Sequence, residues 1–185
     1  SKVNQALKLL DSTKNLSMRY QDHQGLSTAY FYEAGIYQQN GFSKRALGIY
    51  QMALENSSLH EDSINLVRIN NQLAGYYAEE GKLDEALRIS TESLEISIRK
   101  GNKKEMANIK NSIGLIETKR KNYPRAESLL KDALQISLKE KYVYGQKKAF
   151  YNLGLLARVK NDTATARAYF ENSLSLDMLL NDHYG

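Results

Sequence analysis

Alanine recurs five times at a constant spacing of 40 residues, at Ala6, Ala46, Ala86, Ala126 and Ala166. A small residue also lies twelve positions before each of the last four alanines, at Ala34, Ala74, Gly114 and Gly154. A fixed period of this length is typical of arrays in which one supersecondary unit is stacked several times. The spacing alone therefore predicts a repeat architecture.

Each copy of the repeat contains two stripes of mainly apolar residues, separated by a short polar stretch. In the second copy the first stripe consists of Ile69, Leu73, Tyr76 and Tyr77, and the second of Leu83, Ala86, Leu87, Ser90 and Leu94. Steps of three and four residues dominate, and this spacing is typical of amphipathic helices rather than of strands. Every copy is therefore predicted to contain two helices.

The polar stretch between the stripes contains residues that favour turns. Asn40-Gly41, Gly81 and Asn161-Asp162 occupy matching places, and these residue types tolerate the left-handed conformation that ends a helix. Each copy is thus predicted to be a helix, a tight turn and a second helix.

Three residues bear on where the second helices begin. Pro124 is predicted to lie just inside the second helix of the third copy, where a missing N–H has no cost. Ser43 and Asp84 are predicted to be the N-caps of the corresponding helices in the first two copies. These second helices are expected to extend to about residues 56–60 and 99–101.

The recurring small residues have a packing explanation. Two paired helices can approach to the near end of the usual 8–10 Å range only where one of them carries Ala or Gly. Tyr37 and Tyr77 follow the small residue by three positions and are predicted to fill the hollow beside the crossing. Glu117 and Ala157 occupy this position in the third and fourth copies.

The repeat resembles the tetratricopeptide repeat family. Leu73-Ala74, Tyr77 and Ala86 match its pattern in the second copy, as do Leu153-Gly154, Ala166 and Phe170 in the fourth. The period is 40 rather than the usual 34 residues, and the family's closing proline is replaced by Ser58, Ile98, Leu138 and Met178. Such long variants are similar to those of kinesin light chains and of bacterial peptide-pheromone receptors and sensor proteins.

The resemblance implies an all-α fold, a right-handed superhelical solenoid of antiparallel helix pairs. About four full repeats plus a leading half repeat are expected in one array over residues 1–185. The predicted boundaries are 1–24 for the second helix of a preceding repeat, 25–63, 64–103, 104–143 and 144–180 for full repeats, and 181–185 for the start of the next. The chain is expected to be a fragment of a larger protein.

The net charge of +5 is unevenly distributed. Residues 98–148 contain 14 Lys and Arg against 5 Asp and Glu, whereas residues 24–97 contain 5 against 10. One interpretation is a basic flank for an acidic partner; the other is solvated outer faces of long helices. No nucleic-acid-binding motif occurs, so no nucleic acid is expected as a partner. No membrane contact is expected either.

Catalysis, metal binding and cofactor binding are not predicted for this chain. It has no cysteine, and it lacks a nucleophile elbow and a phosphate-binding glycine loop. None of the three histidines, His23, His60 and His183, has a His or carboxylate partner at ligand spacing on one helix face, and His60 beside Glu61-Asp62 is the nearest approach. The chain is therefore expected to be non-catalytic, with no cofactor.

The resemblance further implies that the first helix of each repeat lines a concave, ligand-binding groove. Its candidate binding residues are Phe31, Arg68, Asn71, Asn108, Asn111, Lys148, Tyr151 and Asn152. Asn71 and Asn111 lie 40 residues apart, and a ladder of amides can bind the backbone of an extended peptide. Alternatively, these polar residues need no ligand. Phe31 and Tyr151 are interpreted as aromatic anchors, whereas Tyr30 and Phe150 are expected in the core.

Three functions remain open. The first is a scaffold that binds a protein or peptide, which is acidic if the basic flank takes part. The second is a sensory input domain of a bacterial signalling protein, such as a sensor kinase or a transcription regulator. The third is an architectural segment that self-associates through uncapped ends. The compartment is equally open between the cytoplasm and, for a membrane-anchored sensor, the periplasm.

Overall fold

The structure is a computed structural model, and it describes residues 2–58 and 63–182. Within these ranges there are nine helices and no strand. Their bounds are α1 (Lys2–Arg19), α2 (His23–Gln39), α3 (Ser43–Ser58), α4 (Ser63–Glu79), α5 (Leu83–Arg99), α6 (Lys103–Lys119), α7 (Tyr123–Lys139), α8 (Val143–Val159) and α9 (Thr163–Asp182). The predicted all-α class is confirmed, and the helices alternate with the predicted tight turns.

Contacts divide the chain into two units, Ser1–Glu80 and Gly81–Gly185. In unit 1, α1 packs on α2, α2 on α3 and α3 on α4, and α2 also contacts α4. In unit 2, each helix from α5 to α9 packs on the next, and α6 also contacts α8.

The helices of unit 2 form two layers. α6 and α8 contact each other, whereas no comparable contact joins α5, α7 and α9 within the described part of this unit. We therefore call α6 and α8 the inner layer and α5, α7 and α9 the outer layer. The inner face is the side of α6 and α8 that points away from the outer layer.

The turns have the backbone conformation that the sequence predicts. Gly41 and Gly81 have φ angles of +82° and +78°, and Asn161 has +61°. Lys121 and Lys141 occupy the equivalent positions after α6 and α7, with φ angles of +64° and +50°. Because a side chain in this region is strained, these two lysines show that the turn tolerates residues other than Gly and Asn.

The two N-cap predictions are wrong. α3 already begins at Ser43, and α5 begins at Leu83 with Lys82 in the N-cap position. The turn ends earlier than the polar residues indicated, so that Ser43 and Asp84 lie in the first helical turn. Asp84 instead forms an ion pair with Arg120.

The other helix-end predictions agree with the structure. Pro124 lies in the first turn of α7, and α5 ends at Arg99. α3 ends at Ser58, inside the predicted range, and His60 lies outside the described residues.

The small residues lie where paired helices cross. A Cβ atom added to Gly154 would lie 2.6 Å from Cε1 of Phe170, and one added to Gly114 would lie 2.6 Å from Cγ of Leu130. In unit 1, Ala34 and Ala46 are fully buried or nearly so, at 0% and 2% exposure. The predicted close approach is therefore confirmed in both units.

Each unit has its own apolar core. That of unit 1 consists of Tyr30, Ala34, Ala46, Tyr50, Ala53, Ile69 and Leu73. Tyr37 and Tyr77 pack against it, which confirms the predicted filling role for Tyr37, three residues after Ala34. A cluster in unit 2 consists of Ala126, Leu130, Leu153 and Leu156. Tyr30 is buried as expected, whereas Phe150 is half-buried, with its ring 6.2 Å from that of Tyr169.

Glu117 occupies in unit 2 the position that Tyr37 and Tyr77 occupy in unit 1. It is only 1% exposed, and its Oε1 lies 3.3 Å from Nη1 of Arg125. A buried carboxylate is costly unless a cation compensates it. Arg125, at the start of α7, supplies this compensation and ties α6 to α7.

Replacement of Gly154 by alanine tests the close approach. Because the new methyl group would overlap the Phe170 ring, we expect the free energy of unfolding to fall by about 1–3 kcal/mol. Gly48→Ala is the matched control, since no atom lies within 4 Å of a Cβ added there. At this position alanine should stabilise the helix by about 0.5–1 kcal/mol. Urea denaturation followed by circular dichroism measures both changes. Equal effects of the two substitutions would contradict the packing explanation.

The buried Tyr50 makes unit 1 sensitive to alkali. Burial raises the pKa of its hydroxyl from 10.0 to about 12, and the hydroxyl donates a hydrogen bond to Oε1 of Gln38 at 3.0 Å. Since the folded pKa lies above the unfolded one, this contribution to stability is complete below pH 10 and is lost as the pH rises towards 12.

We therefore expect the free energy of unfolding to decrease over this interval, and to decrease less in Tyr50→Phe than in the wild type. Chemical denaturation at about pH 9 and about pH 11 measures the difference. An identical pH dependence of the two proteins would show that Tyr50 does not titrate as described.

Candidate functional site

The structure brings the candidate binding residues together in two separate groups. In unit 2, α6 carries Asn108 and Asn111, and α8 carries Lys148, Tyr151 and Asn152. These five residues share the inner layer, because α6 contacts α8. In unit 1, Phe31 lies on α2, and Arg68 and Asn71 lie on α4, which contacts α2.

Two amides of the proposed ladder are buried between helices. Asn111 is 1% exposed, and its Nδ2 lies 3.5 Å from the carbonyl oxygen of Gly145 on α8. Its Oδ1 is buried and makes no hydrogen bond with the described residues. Asn152 is also buried, at 9% exposure, and Asn71 is half-buried. Packing between neighbouring helices thus accounts for the location of Asn111, and its ligand-binding role stays a prediction.

Asn108 is more accessible, and both atoms of its amide take part in hydrogen bonds. Its Oδ1 accepts from the hydroxyl of Tyr142 at 3.2 Å, and its Nδ2 donates to Oε2 of Glu105 at 3.2 Å. Asn108 therefore connects the start of α8 to α6 and fixes the orientation of the Tyr142 side chain.

The aromatic candidates differ in exposure. Tyr151 is 51% exposed, and its ring lies 5.7 Å from that of Phe170. These two residues line an open groove of about 460 Å³ along α8 and α9. Phe31 is half-buried and lies 5.9 Å from the core residue Tyr50, whereas its neighbour Tyr32 is 54% exposed. In unit 1, Tyr32 is therefore the aromatic residue that is more available to a ligand.

Sequence reasoning missed a cluster of lysine and tyrosine residues at the beginning of the inner-layer helices. Nζ of Lys104 lies 5.7 Å from the ring centre of Tyr142, and Nζ of Lys148 lies 5.3 Å from that of Tyr144. Lys104 and Tyr144 precede Asn108 and Lys148 by four residues, which is one helical turn. This spacing was the available signal, because residues four apart share a helix face.

A second cavity, of about 300 Å³, lies among α7, α8 and α9. Its charged lining is internally paired, since Glu127 accepts hydrogen bonds from Lys131 at 2.7 Å and Lys160 at 3.0 Å. These bonds hold the pKa of the Glu127 carboxyl below its usual value. The cavity therefore offers little uncompensated charge to a ligand.

In the described ranges no three His, Cys, Asp or Glu residues are grouped so that they could hold a metal ion. Nδ1 of His23 lies 3.2 Å from Oδ1 of Asn56, whereas His60 and His183 lie outside those ranges. None of the helices, as far as they are described, combines the length and the apolar character that a membrane span needs.

The buried amide of Asn111 generates a stability prediction. Leucine has a similar shape and removes the buried Oδ1 that has no partner, so Asn111→Leu should leave the free energy of unfolding unchanged or raise it by up to about 1 kcal/mol. Asn111→Ala, which leaves a cavity, should lower it. Thermal and urea denaturation compare the variants. A loss of more than about 1 kcal/mol in Asn111→Leu would mean that the amide is well satisfied in the native protein.

Comparison with known proteins gives one family match. Residues 65–139 match the model of the tetratricopeptide repeat. No curated protein sequence matches the chain.

Several solved structures share the fold. BtubC (BKLC) from P. vanneervenii superposes with a TM-score of 0.71 at 23% identity, covering 94% of this chain and 71% of that one. Aspartyl phosphate phosphatase F from Bacillus subtilis gives a TM-score of 0.69 at 14% identity, covering 96% of this chain and 50% of the phosphatase. A putative kinesin light chain of P. anserina gives 0.63 at 15% identity, covering 95% and 87%.

At these identities the structural matches establish only the fold. This chain spans 71% of the length of BtubC and half that of the phosphatase. The in-phase small residues, the antiparallel helix pairs and the match over residues 65–139 agree with one another. Residues 65–139 therefore match the tetratricopeptide repeat by sequence, and the described chain has the fold of tetratricopeptide-like repeat structures.

Proposed function

We propose that the chain is a scaffold that binds a protein or peptide on the first helices of its repeats, which are the inner-layer helices α6 and α8 in unit 2 and α2 and α4 in unit 1. The tetratricopeptide fold supports an interaction scaffold with protein or peptide partners. The observation that carries the more specific proposal is the presence of large exposed side chains on inner-layer helices. Tyr151 on α8 is 51% exposed, although the neighbouring Asn152 and Leu153 are buried.

The inner layer of unit 2 combines the two kinds of group that bind extended peptides. Tyr151 offers a rigid aromatic surface, and a few aromatic anchors often dominate binding. Lys148 lies one helical turn before Asn152 and adds a cation on the same helix. Side-chain donors and acceptors can then pair with the backbone of a peptide whatever its sequence.

Unit 1 presents a similar arrangement on α2 and α4. Tyr32 is 54% exposed beside Phe31, and Arg68 is exposed on α4. Nδ2 of Asn65 donates to Oγ1 of Thr28 at 2.9 Å, which connects the two helices. The same class of ligand is therefore proposed for this unit.

Self-association is a second candidate function, favoured by apolar side chains on α9. Leu174, Met178 and Leu179 are 55%, 57% and 46% exposed. Exposed apolar surface of this kind is typical of interaction sites. The sensory role, which was inferred from the resemblance to bacterial signalling proteins, stays a hypothesis.

A peptide selected from a random display library tests the inner-layer proposal. Tyr151→Ala or Tyr32→Ala should weaken its binding by about tenfold or more, because each removes an anchor. Tyr20→Ala is the matched control, since Tyr20 is 71% exposed but lies in the turn between α1 and α2 and not on α2, α4, α6 or α8. Fluorescence anisotropy measures affinity, and amide NMR shifts locate the peptide. A peptide that shifts only outer-layer helices, or binds all three variants equally, would refute the proposal.

A further inference from the structure

Four residues form a compact lysine–tyrosine cluster at the start of α6 and α8. They are Lys104 on α6, Tyr142 in the turn before α8, and Tyr144 and Lys148 on α8. The rings of Tyr142 and Tyr144 lie 6.2 Å apart. Lys104 lies over the Tyr142 ring at 5.7 Å, and Lys148 lies over the Tyr144 ring at 5.3 Å. Lys147, which pairs with Asp177, also lies 5.7 Å from the Tyr144 ring centre. The cluster lies within unit 2.

The two lysines of the cluster lack a carboxylate partner among the described residues. This distinguishes them from nearby inner-layer lysines. Nζ of Lys110 lies 2.8 Å from Oδ2 of Asp132, and Nζ of Lys147 lies 2.6 Å from Oδ1 of Asp177.

In the outer layer of unit 2, by contrast, each helix carries at least one ion pair of its own. On α5, Arg88 pairs with Glu85 and Glu92, both at 2.7 Å. α7 and α9 each contain one further pair at 2.7 Å, Lys131–Glu127 and Arg167–Glu171. Part of the basic surplus of residues 98–148 lies uncompensated in the lysine–tyrosine cluster.

The tyrosine rings orient these cations without neutralising them. An ammonium group over an aromatic face is attracted by the ring quadrupole, which is worth about 0.5–1 kcal/mol at an exposed site. The Tyr142 ring is itself held, because its hydroxyl donates to Oδ1 of Asn108 at 3.2 Å. The side chains of both lysines therefore lose part of their freedom before a ligand arrives, which lowers the entropic cost of binding an anion.

We propose that the lysine–tyrosine cluster binds the acidic side chains of an extended peptide, so that the partner of this chain is an acidic segment of a protein. This inference rests on the proposed peptide-binding function and specifies its ligand. Carboxylates of the peptide would pair with Lys104 and Lys148, and its intervening residues would contact the exposed ring of Tyr144, which is 46% exposed.

An acidic peptide fits the cluster better than a nucleic acid does. Binding to a phosphate backbone depends on neutralising many phosphates along its length, and the cluster offers two uncompensated lysines. Two carboxylates on one short segment match the number and fixed placement of these cations.

Fluorescence anisotropy with a labelled peptide of about twelve residues that alternates Glu and Ser tests the inference on the intact chain. We expect binding that weakens as salt is added, and a loss of affinity of about tenfold or more in the Lys104→Gln/Lys148→Gln variant. Tyr144→Leu should lose less, about threefold, because it releases Lys148 but keeps its charge.

The matched control is Lys121→Gln/Lys131→Gln, which removes the same charge from the α6–α7 turn and from α7. Glu127 keeps Lys160 as a partner at 3.0 Å in this variant, so the fold should be preserved, as circular dichroism will verify for every variant. The control should bind the acidic peptide within about twofold of the wild type. An equal loss in both double variants would mean unspecific attraction and would overturn the inference.

Two further probes separate this inference from its alternatives. A single-stranded oligothymidine that binds more tightly than the acidic peptide, and loses affinity in Lys104→Gln/Lys148→Gln, would assign the cluster to nucleic acid. A library-selected peptide that binds the inner layer while the acidic peptide does not would overturn the acidic preference and leave the proposed function standing. Failure of every peptide to bind would overturn both.

Discussion

The close approach of paired helices depends on positions that have no room for a larger side chain. At Gly154 and Gly114 even one added carbon atom would overlap Phe170 or Leu130. Because protein interiors are packed at the density of organic crystals, such an overlap cannot be absorbed without displacement of a neighbour. Because the small residues recur every 40 residues, the same close contact recurs from one repeat to the next. The paired helices form hairpins as a result.

This packing also determines which side chains are left for function. Once the outer-layer helices of unit 2 cover one side of α6 and α8, only the inner face of these two helices is available along both of them. Each outer-layer helix carries an ion pair of its own, as Arg88 forms with Glu85 and Glu92 on α5. Uncompensated lysines oriented by tyrosines are found on inner-layer helices. Part of the basic surplus of residues 98–148 therefore lies in the lysine–tyrosine cluster, where we propose that it binds an acidic segment.

The sequence predicted those features that depend on local spacing. The helices, the tight turns at Gly41 and Gly81, and the crossing at Gly154 all follow from periods of three, four and 40 residues. Which of the candidate site residues are buried could not be predicted from this spacing. Asn111 shares its repeat position with Tyr151, yet it is 1% exposed against 51%, because α8 packs on the former whereas the latter lines the open groove beside Phe170 of α9. The sequence predicted that the inward-facing residues of α6 and α8 begin at Asn108 and Lys148. Lys104 and Tyr144 lie one helical turn earlier and were therefore missed.

A crystal structure of the chain with the bound acidic peptide would examine the central claim most directly. That claim is that close packing of the hairpins leaves uncompensated cations on inner-layer helices for an acidic segment. The account predicts peptide carboxylates within about 4 Å of Nζ of Lys104 and Lys148, which is ion-pair distance. A peptide that binds along α7 or α9 and contacts neither lysine would contradict the account. Both lysines would then still lie over their tyrosine rings.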